Sequence, residues 1–172
     1  MSQANKKQSS SKRSVFRIGN PKYILDLSGQ GARLYAGRWH YKGIPLLYTA
    51  ETAALSILEY LGHITPIQAR IPYILVELII HESQISNLND IAADLPDDWF
   101  SDDGMVITRD IGKRWAAELH SPVLRVPSVH SPYEQNFLIN PVHPHLLLEI
   151  SKQKWYLYDR RFVRSVDDEP SE

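Results

Sequence analysis

The chain has 172 residues, of which 43% are hydrophobic and 23% charged, and its formal net charge is −1. This composition is typical of one globular domain and excludes wholesale disorder, and the near-neutral charge argues against a dedicated nucleic-acid-binding protein. Cysteine is absent, which excludes disulfide scaffolds, thiolate zinc sites and a cysteine nucleophile and favours a reducing compartment. Without a bilayer-length apolar segment or the apolar core of a secretory signal, we expect a cytoplasmic protein that does not contact membranes.

Charged segments at the two ends frame the predicted domain. Residues 1–14 hold four Lys and Arg side chains among serines and glutamines, and residues 166–172 are acidic. Neither segment has the apolar periodicity of a folded element, so both are predicted to be disordered tails. The folded domain is therefore predicted to span residues 15–165.

The first elements of the domain are predicted to be two strands with a turn between them. The apolar residues 15–18 indicate a short opening strand. The two glycines within residues 28–31 favour a turn, because glycine adopts positive φ at little cost. Residues 45–48 indicate a second strand, which is predicted to end at Thr49.

A helix is predicted over residues 50–62. Thr49 is suited to cap it, Glu51 would lie in its first turn beside the positive end of the helix dipole, and Gly62 would end it. The residues predicted to form its apolar face are Ala53, Ala54, Ile57, Leu58 and Leu61.

The second half of the domain continues with mixed elements. In chain order they are a buried strand over 73–80, an acidic loop over 87–103, a helix over 108–119 and a strand over 122–126. The segments 146–150 and 155–158 are predicted to form a closing hairpin. Because strands outnumber helices and do not alternate regularly with them, the predicted class is α+β.

Two motifs invite a cofactor or metal interpretation and do not support it. The segment from Gly29 to Leu34 begins like a dinucleotide-binding fingerprint, but Leu34 occupies the third glycine position. His143 and His145 are spaced to point the same way from an extended segment, yet no third ligand is near in sequence. We therefore expect neither a classical dinucleotide fold nor a metal site.

Three polar residues are candidate functional groups. Glu59 falls at the border of the apolar helix face, where a carboxylate is either solvated or half-buried with its ionisation tuned by its surroundings. Arg38 follows a glycine and could bind a phosphate with its guanidinium fork, an ordinary salt bridge being the alternative. Ser128 follows a short strand and Pro127, where a hydroxyl can be held at the edge of a cleft.

In combination, five short motifs resemble the RES domain family over about residues 15–163. The family takes its name from an Arg, a Glu and a Ser, which correspond here to Arg38, Glu59 and Ser128. One departure is His40, because family members commonly have Asn after the Arg-Trp pair. The motifs are Gly37-Arg38-Trp39, Tyr48-Thr49, Leu58-Glu59, Val126-Pro127-Ser128 and Asn140-Pro141-x-His143-Pro144.

The resemblance implies a fold, an activity and a partner. The fold would be a single α+β domain similar to the ADP-ribosyltransferases, with mixed central sheets and flanking helices. The protein would be the toxin of a bacterial type II toxin–antitoxin pair that cleaves the nicotinamide–ribose bond of NAD+, by phosphorolysis or hydrolysis, and arrests growth. The partner would be an Xre-type helix-turn-helix antitoxin, with a toxin homodimer in the complex and DNA contacted only through the antitoxin. ADP-ribosylation of a protein target is the alternative, and a non-catalytic binding module is less favoured because Arg38 and Glu59 are present.

The resemblance also assigns roles. Arg38, Glu59 and Ser128 are expected to be catalytic, and Arg38, Tyr48, Ser128 and Asn140 are expected to bind substrate. Arg38 suits the diphosphate, Tyr48 suits the nicotinamide ring, and Glu59 suits the oxocarbenium-like ribose formed on cleavage. No metal or bound cofactor is expected, since NAD+ is the substrate and inorganic phosphate the candidate co-substrate.

Overall fold

The computed structural model describes residues 11–92, 95–159 and 161. These residues contain α-helices, short 3₁₀ turns and strands of a single sheet. The helices are α1 (Gln30–Leu34), α2 (Ala53–Leu61) and α3 (Gly104–Ala117), and the strands are β1 (Lys12–Gly19), β2 (Leu47–Ala50), β3 (Tyr73–His81), β4 (Ile85–Asn87), β5 (Val123–Pro127), β6 (Gln135–Ile139) and β7 (Glu149–Tyr156).

The sheet has the strand order β4-β5-β6-β2-β1-β3-β7 and falls into two well-paired halves. Every pairing is antiparallel except β4 with β5, which is parallel. β1 is in register with β3 along its whole length, but it meets β2 only where Phe16 lies opposite Ala50. One short junction therefore joins the half β4-β5-β6-β2 to the half β1-β3-β7. The predicted α+β class with a mixed sheet is confirmed.

A hydrophobic cluster covers each face of the sheet, and consecutive residues of a strand point to opposite faces. Phe137 packs in the core on one face, while Leu138 packs on the other face beneath α3 and Trp115. This follows from the alternation of side chains along a strand. A third cluster lies under α2, where Tyr73 and Tyr158 pack edge to face and the Tyr158 hydroxyl donates to the Ile57 carbonyl at 3.0 Å. α2 is thereby anchored to the half of the sheet that contains β1 and β3.

The predicted strands are present with shifted ends. The strand predicted over 73–80 is β3, the one over 15–18 lies within the longer β1, and the one over 122–126 overlaps β5 with a shift of one residue. β1 begins at Lys12, so residues 12–14 are part of the strand and the prediction of a tail was wrong for them. The predicted tail residues 1–10 and 166–172 lie outside the described residues.

The residue predicted to cap α2 was wrong, because the helix is capped by Thr52 and not by Thr49. Thr52 caps α2, its hydroxyl accepting from the Leu55 amide at 3.0 Å. Thr49 instead lies within β2, where its hydroxyl donates to the Phe137 carbonyl at 2.8 Å. β2 covers Leu47–Ala50 rather than residues 45–48, because it pairs with β6 through Ala50. Glu51 consequently precedes the helix rather than lying in its first turn.

The buried side of α2 also differs from the predicted apolar face. Leu55 and Ser56 are the buried residues, whereas Leu58 is 42% exposed. Ile57 and Leu61 pack against the cluster under the helix, and Gly62 ends the helix as predicted. The face that turns inward is therefore rotated relative to the one that hydrophobicity alone indicated.

Two further predictions are corrected. Residues 146–150 and 155–158 do not form a hairpin, because Glu149–Tyr156 is one continuous strand paired with β3 and bulged at Ser151. The predicted turn over 28–31 instead opens helix α1, which follows Gly29 at a φ of 74°. Strands β4 and β6 were not predicted.

Candidate active site

The register of β2 and β6 places the predicted site on the face of the sheet covered by α3. Tyr48 lies opposite Leu138, and Ala50 lies opposite Asn136. Tyr48 and Asn136 are therefore diagonal neighbours on one face, roughly 7–8 Å apart. After β2 the chain turns into α2, which returns Glu59 to this face beside Asn136.

The Glu59 carboxylate is held through one oxygen. Oε1 accepts from Ser128 Oγ at 2.7 Å and from Asn136 Nδ2 at 2.6 Å. Oε2 has no hydrogen bond among the described residues, and His130 Nε2 lies 3.6 Å from it. The Glu59 side chain is 26% exposed. The carboxylate is thus held in direction through Oε1, while Oε2 lies beside His130.

Ser128 is buried, and the proton of its hydroxyl has a defined destination. Ser128 Oγ accepts from the backbone amides of His130 at 3.0 Å and Ser131 at 3.1 Å. With both acceptor positions occupied, the hydroxyl proton points to Glu59. In this geometry Ser128 orients the carboxylate.

α3 fixes the backbone of residues 37–39, the segment that carries Arg38. All three carbonyl groups of this segment face the helix, and the position opposite the last of them must be glycine, because a Cβ there would overlap the carbonyl oxygen. The three contacts are Arg109 Nε to the Gly37 carbonyl at 2.8 Å, Thr108 Oγ1 to the Arg38 carbonyl at 2.6 Å, and Gly112 packed on the Trp39 carbonyl.

The Arg38 guanidinium has no carboxylate partner among the described residues. Nη1 lies 3.5 Å from the Trp99 carbonyl, and the guanidinium carbon lies 5.9 Å from the centre of the Trp99 ring. Stacking of this kind orients an arginine without neutralising it. The salt bridge considered as the alternative for Arg38 is therefore absent from the described part of the chain, and the charge is available to an anion.

Tyr48 combines an accessible ring with a buried hydroxyl. The residue is 36% exposed, while its hydroxyl accepts from the Trp39 amide at 3.1 Å and lies 2.8 Å from His40 Nδ1. Burial of the hydroxyl raises the pKa of Tyr48. The ring can therefore contact a ligand while the neutral hydroxyl anchors it to the segment that carries Arg38.

His40 determines the direction of the Tyr48 hydroxyl proton. His40 Nε2 lies 3.0 Å from the carbonyl oxygens of Ala32 and Tyr35, which can only accept hydrogen bonds. Nε2 must therefore carry the proton, so Nδ1 of the neutral ring accepts from Tyr48. Burial lowers the pKa of His40 and thereby stabilises this neutral form.

Asn140 lies apart from these residues. It is 1% exposed, with Nδ2 donating to the Ala116 carbonyl and Oδ1 accepting from the Val142 amide, both at 3.2 Å. It is also four residues beyond Asn136 along the strand direction, or about 13 Å. The structure brings Arg38, Tyr48, Glu59 and Ser128 to one face and leaves Asn140 as a buried structural amide.

The predicted site residues do not line the cavity at the β4 edge of the sheet. A cavity of about 530 Å³ lies at the β4 edge, lined by Asn87, Asp90, Arg125 and others, and contains none of the predicted site residues.

In the described ranges no group of three His, Cys, Asp or Glu side chains could hold a metal ion. Both ring nitrogens of His143 are engaged, by the Leu119 carbonyl and the His145 amide. Of the described helices, none has the length and apolarity needed to span a membrane.

Sequence reasoning missed three residues of this cleft, namely Asn136, Arg109 and His130. Asn136 and His130 follow Ser128 within eight residues, in a polar stretch that was not assigned to any element. Arg109 lies on a predicted helix, where a lone arginine is normally a solvated charge. Their roles depend on contacts between elements distant in sequence.

Comparison with known proteins identifies relatives of this chain. The sequence profile described as the RES domain matches residues 14–160. "Toxin Res" of Photorhabdus laumondii is 36% identical over 154 residues, covering 88% of this chain and 97% of that protein. The "Prs ADP-ribosylating toxin" of a Sphingobium species is 33% identical over 144 residues, covering 82% and 89%.

A solved structure confirms the fold. The chain matches one in the crystal structure of the M. tuberculosis MbcT-MbcA toxin-antitoxin complex, with a TM-score of 0.68, 19% identity and coverage of 86% of each chain. The chain therefore shares its α+β fold with that protein. Because the family profile spans nearly the whole folded region and relatives above 30% identity align over most of the chain, the protein belongs to the RES domain family.

Proposed function

We propose that this protein is the toxin of a toxin–antitoxin pair and that it cleaves the nicotinamide–ribose bond of NAD+. The observation that carries the proposal is the Glu59 carboxylate, oriented by Ser128 and Asn136 on the sheet face that also presents Tyr48. Names of relatives support it, since "Toxin Res" and "Prs ADP-ribosylating toxin" align over most of this chain. ADP-ribosylation is chemistry that breaks the same bond of NAD+.

The residues match the charge changes of that reaction. Nicotinamide leaves with the electron pair of the C–N bond, and the ribose becomes oxocarbenium-like before an acceptor oxygen bonds to its anomeric carbon. The Glu59 carboxylate stabilises this positive charge, and Arg38 binds the diphosphate, which stays anionic throughout. The exposed Tyr48 ring packs against the nicotinamide.

The acceptor separates three versions of the proposal. Attack by phosphate releases ADP-ribose 1″-phosphate, attack by water releases ADP-ribose and a proton, and attack by a side chain yields a modified protein. The name of the Sphingobium relative favours considering the third version beside the first two. All three use the same carboxylate and the same diphosphate contact.

Product analysis with a matched variant tests the proposal. NAD+ is incubated with the purified protein, with and without inorganic phosphate, and the products are identified by mass spectrometry. Glu59→Gln keeps the oxygen that accepts from Ser128 and Asn136 but removes the charge. We expect kcat to fall about 100-fold or more while NAD+ affinity changes little. Near wild-type turnover by Glu59→Gln would show that the role given to Glu59 is wrong.

Arg38 variants provide the complementary readout in the same assay. Arg38→Ala removes a contact to a group that is charged before, during and after cleavage, so NAD+ affinity falls more than kcat. Arg38→Lys restores only part of the affinity, because an ammonium lacks the planar fork.

The partner assignment belongs to the same proposal. A toxin of this kind requires a co-produced antitoxin, proposed to be of the Xre helix-turn-helix type, and the solved relative is itself a toxin–antitoxin complex. A carboxylate of the antitoxin reaching the unpaired Arg38 would block the cleft. A toxin homodimer, DNA contact through the antitoxin alone and a cytoplasmic location complete the proposal.

A further inference from the structure

We propose that Arg109 is a second cation for the substrate diphosphate, acting beside Arg38; this assignment rests on the proposed function and extends it. Arg109 lies on α3 and donates from Nε to the Gly37 carbonyl at 2.8 Å. A guanidinium has five N–H donors, and this contact uses one of them. The two terminal nitrogens have no partner among the described residues, so they are free to bind a ligand.

The charges around the cleft support an anionic ligand. Among the described residues neither Arg38 nor Arg109 forms an ion pair with a carboxylate. The nearest acidic residue in sequence, Asp110, is engaged by the Tyr41 hydroxyl at 2.8 Å. Both guanidinium groups lie close enough to the Tyr48 hydroxyl to favour its ionised form, although burial has the larger opposite effect. Both guanidinium groups thus lie near the Tyr48 hydroxyl, and neither has a carboxylate partner among the described residues.

Helix α3 fixes the backbone of Arg38 relative to that of Arg109. Thr108 and Arg109 are consecutive on α3, and they bind the carbonyl groups of Arg38 and Gly37 respectively. Movement of one guanidinium relative to the other is therefore limited to side-chain rotation. A diphosphate carries one negative charge on each phosphate, and planar guanidinium forks suit both phosphates at once. One donor is enough to bind the Gly37 carbonyl, so the other four N–H donors of Arg109 are not needed for that contact.

A series of ligands with different phosphate content tests the assignment by calorimetry. The probes are ADP-ribose, which has the diphosphate, AMP, which has one phosphate, and adenosine, which has none. Arg109→Gln can still donate to the Gly37 carbonyl but has no charge. We expect it to weaken ADP-ribose binding about 10- to 100-fold, to weaken AMP binding less, and to leave adenosine binding unchanged. Arg109→Lys should recover part of the ADP-ribose affinity.

Lys113→Gln is the matched control, because it removes the same charge one turn further along α3 from an exposed side chain. It should leave all three affinities unchanged. Equal weakening of the three ligands by Arg109→Gln would mean that Arg109 only anchors the backbone, and an unchanged ADP-ribose affinity would mean that it has no contact; either result overturns the assignment. If ADP-ribose binding depends on Arg109 but NAD+ is not cleaved, the proposed function fails and the assignment stands.

Discussion

His40 is buried as a neutral ring with its proton on Nε2. It therefore makes the stability of the fold depend on pH. Its pKa is lowered from an ordinary value of 6.5 by burial, so the folded protein resists a proton that the unfolded chain accepts. As pH falls through the ordinary value the unfolded state gains that proton first, and the free energy of unfolding decreases. This contribution to stability is fully present above pH 6.5 and is lost as the pH falls toward the lowered pKa.

We therefore expect the free energy of unfolding to fall more steeply between pH 7 and pH 5 in the wild type than in His40→Asn. Urea unfolding at several pH values within this range measures the two slopes. His63→Asn, which alters an exposed histidine, is the control and should keep the wild-type slope. Parallel curves for the wild type and His40→Asn would contradict the neutral buried ring.

Individual site residues were predictable only where they stand in a short motif of neighbouring residues. Arg38 and Glu59 are recognisable because they stand in short, ordered motifs with characteristic flanking residues. Asn136 acts through a carboxylate 77 positions away in sequence, which no local pattern reveals. Asn140 was proposed as a substrate contact from the family resemblance alone, and in the structure its amide donates to the Ala116 carbonyl near the end of α3.

Among the elements, α3 has the most direct control over the cleft, because it packs on the carbonyl groups of residues 37–39. Gly112→Ala would place a methyl group in the Trp39 carbonyl oxygen and push the helix away. We expect a loss of about 2 kcal/mol or more in the free energy of unfolding, together with weaker NAD+ binding, because Arg38 moves with the segment. Chemical denaturation and NAD+ titration measure the two effects.

Gly31→Ala is the matched control for that prediction. Gly31 lies in α1, and a Cβ there would meet nothing within 4 Å. Alanine favours the helix by about 0.5–1 kcal/mol relative to glycine, so this variant should be neutral or slightly more stable. If both alanines had the same small effect, the close packing of α3 on the Trp39 carbonyl would not be a constraint.

Strands were predictable where burial gives the sequence an apolar pattern. They were not predictable where only pairing with another strand determines their bounds. β3 is buried along one face and apolar except for Glu77 and His81, so its bounds were found almost to the residue. β7 is an exposed edge strand, and its polar middle suggested a loop between two short strands. Thr49 and Thr52 are equivalent as helix caps in sequence, and only the pairing of β2 with β6 assigns Thr49 to the strand.

For the whole molecule, the proposed activity predicts an order of events in the cell. Expression of the toxin alone should lower intracellular NAD+ before viability falls. Glu59→Gln should be harmless at the same protein level, and the cognate antitoxin should protect cells that express the wild type. Timed measurements of NAD+ and colony counts test this sequence. Growth arrest with unchanged NAD+ would instead favour a modified protein target.

The short junction between the two halves of the sheet has a consequence for the carboxylate. α2 is anchored to one half, where the Tyr158 hydroxyl bonds to the Ile57 carbonyl, yet Glu59 on that helix is bonded to Ser128 and Asn136, which belong to the other half. Glu59 thus links the two halves of the sheet, whose strands β1 and β2 share a single register pair, Phe16 opposite Ala50. A change in the angle between the two halves would therefore also turn Glu59 Oε2, so the direction of the carboxylate depends on how the halves are joined.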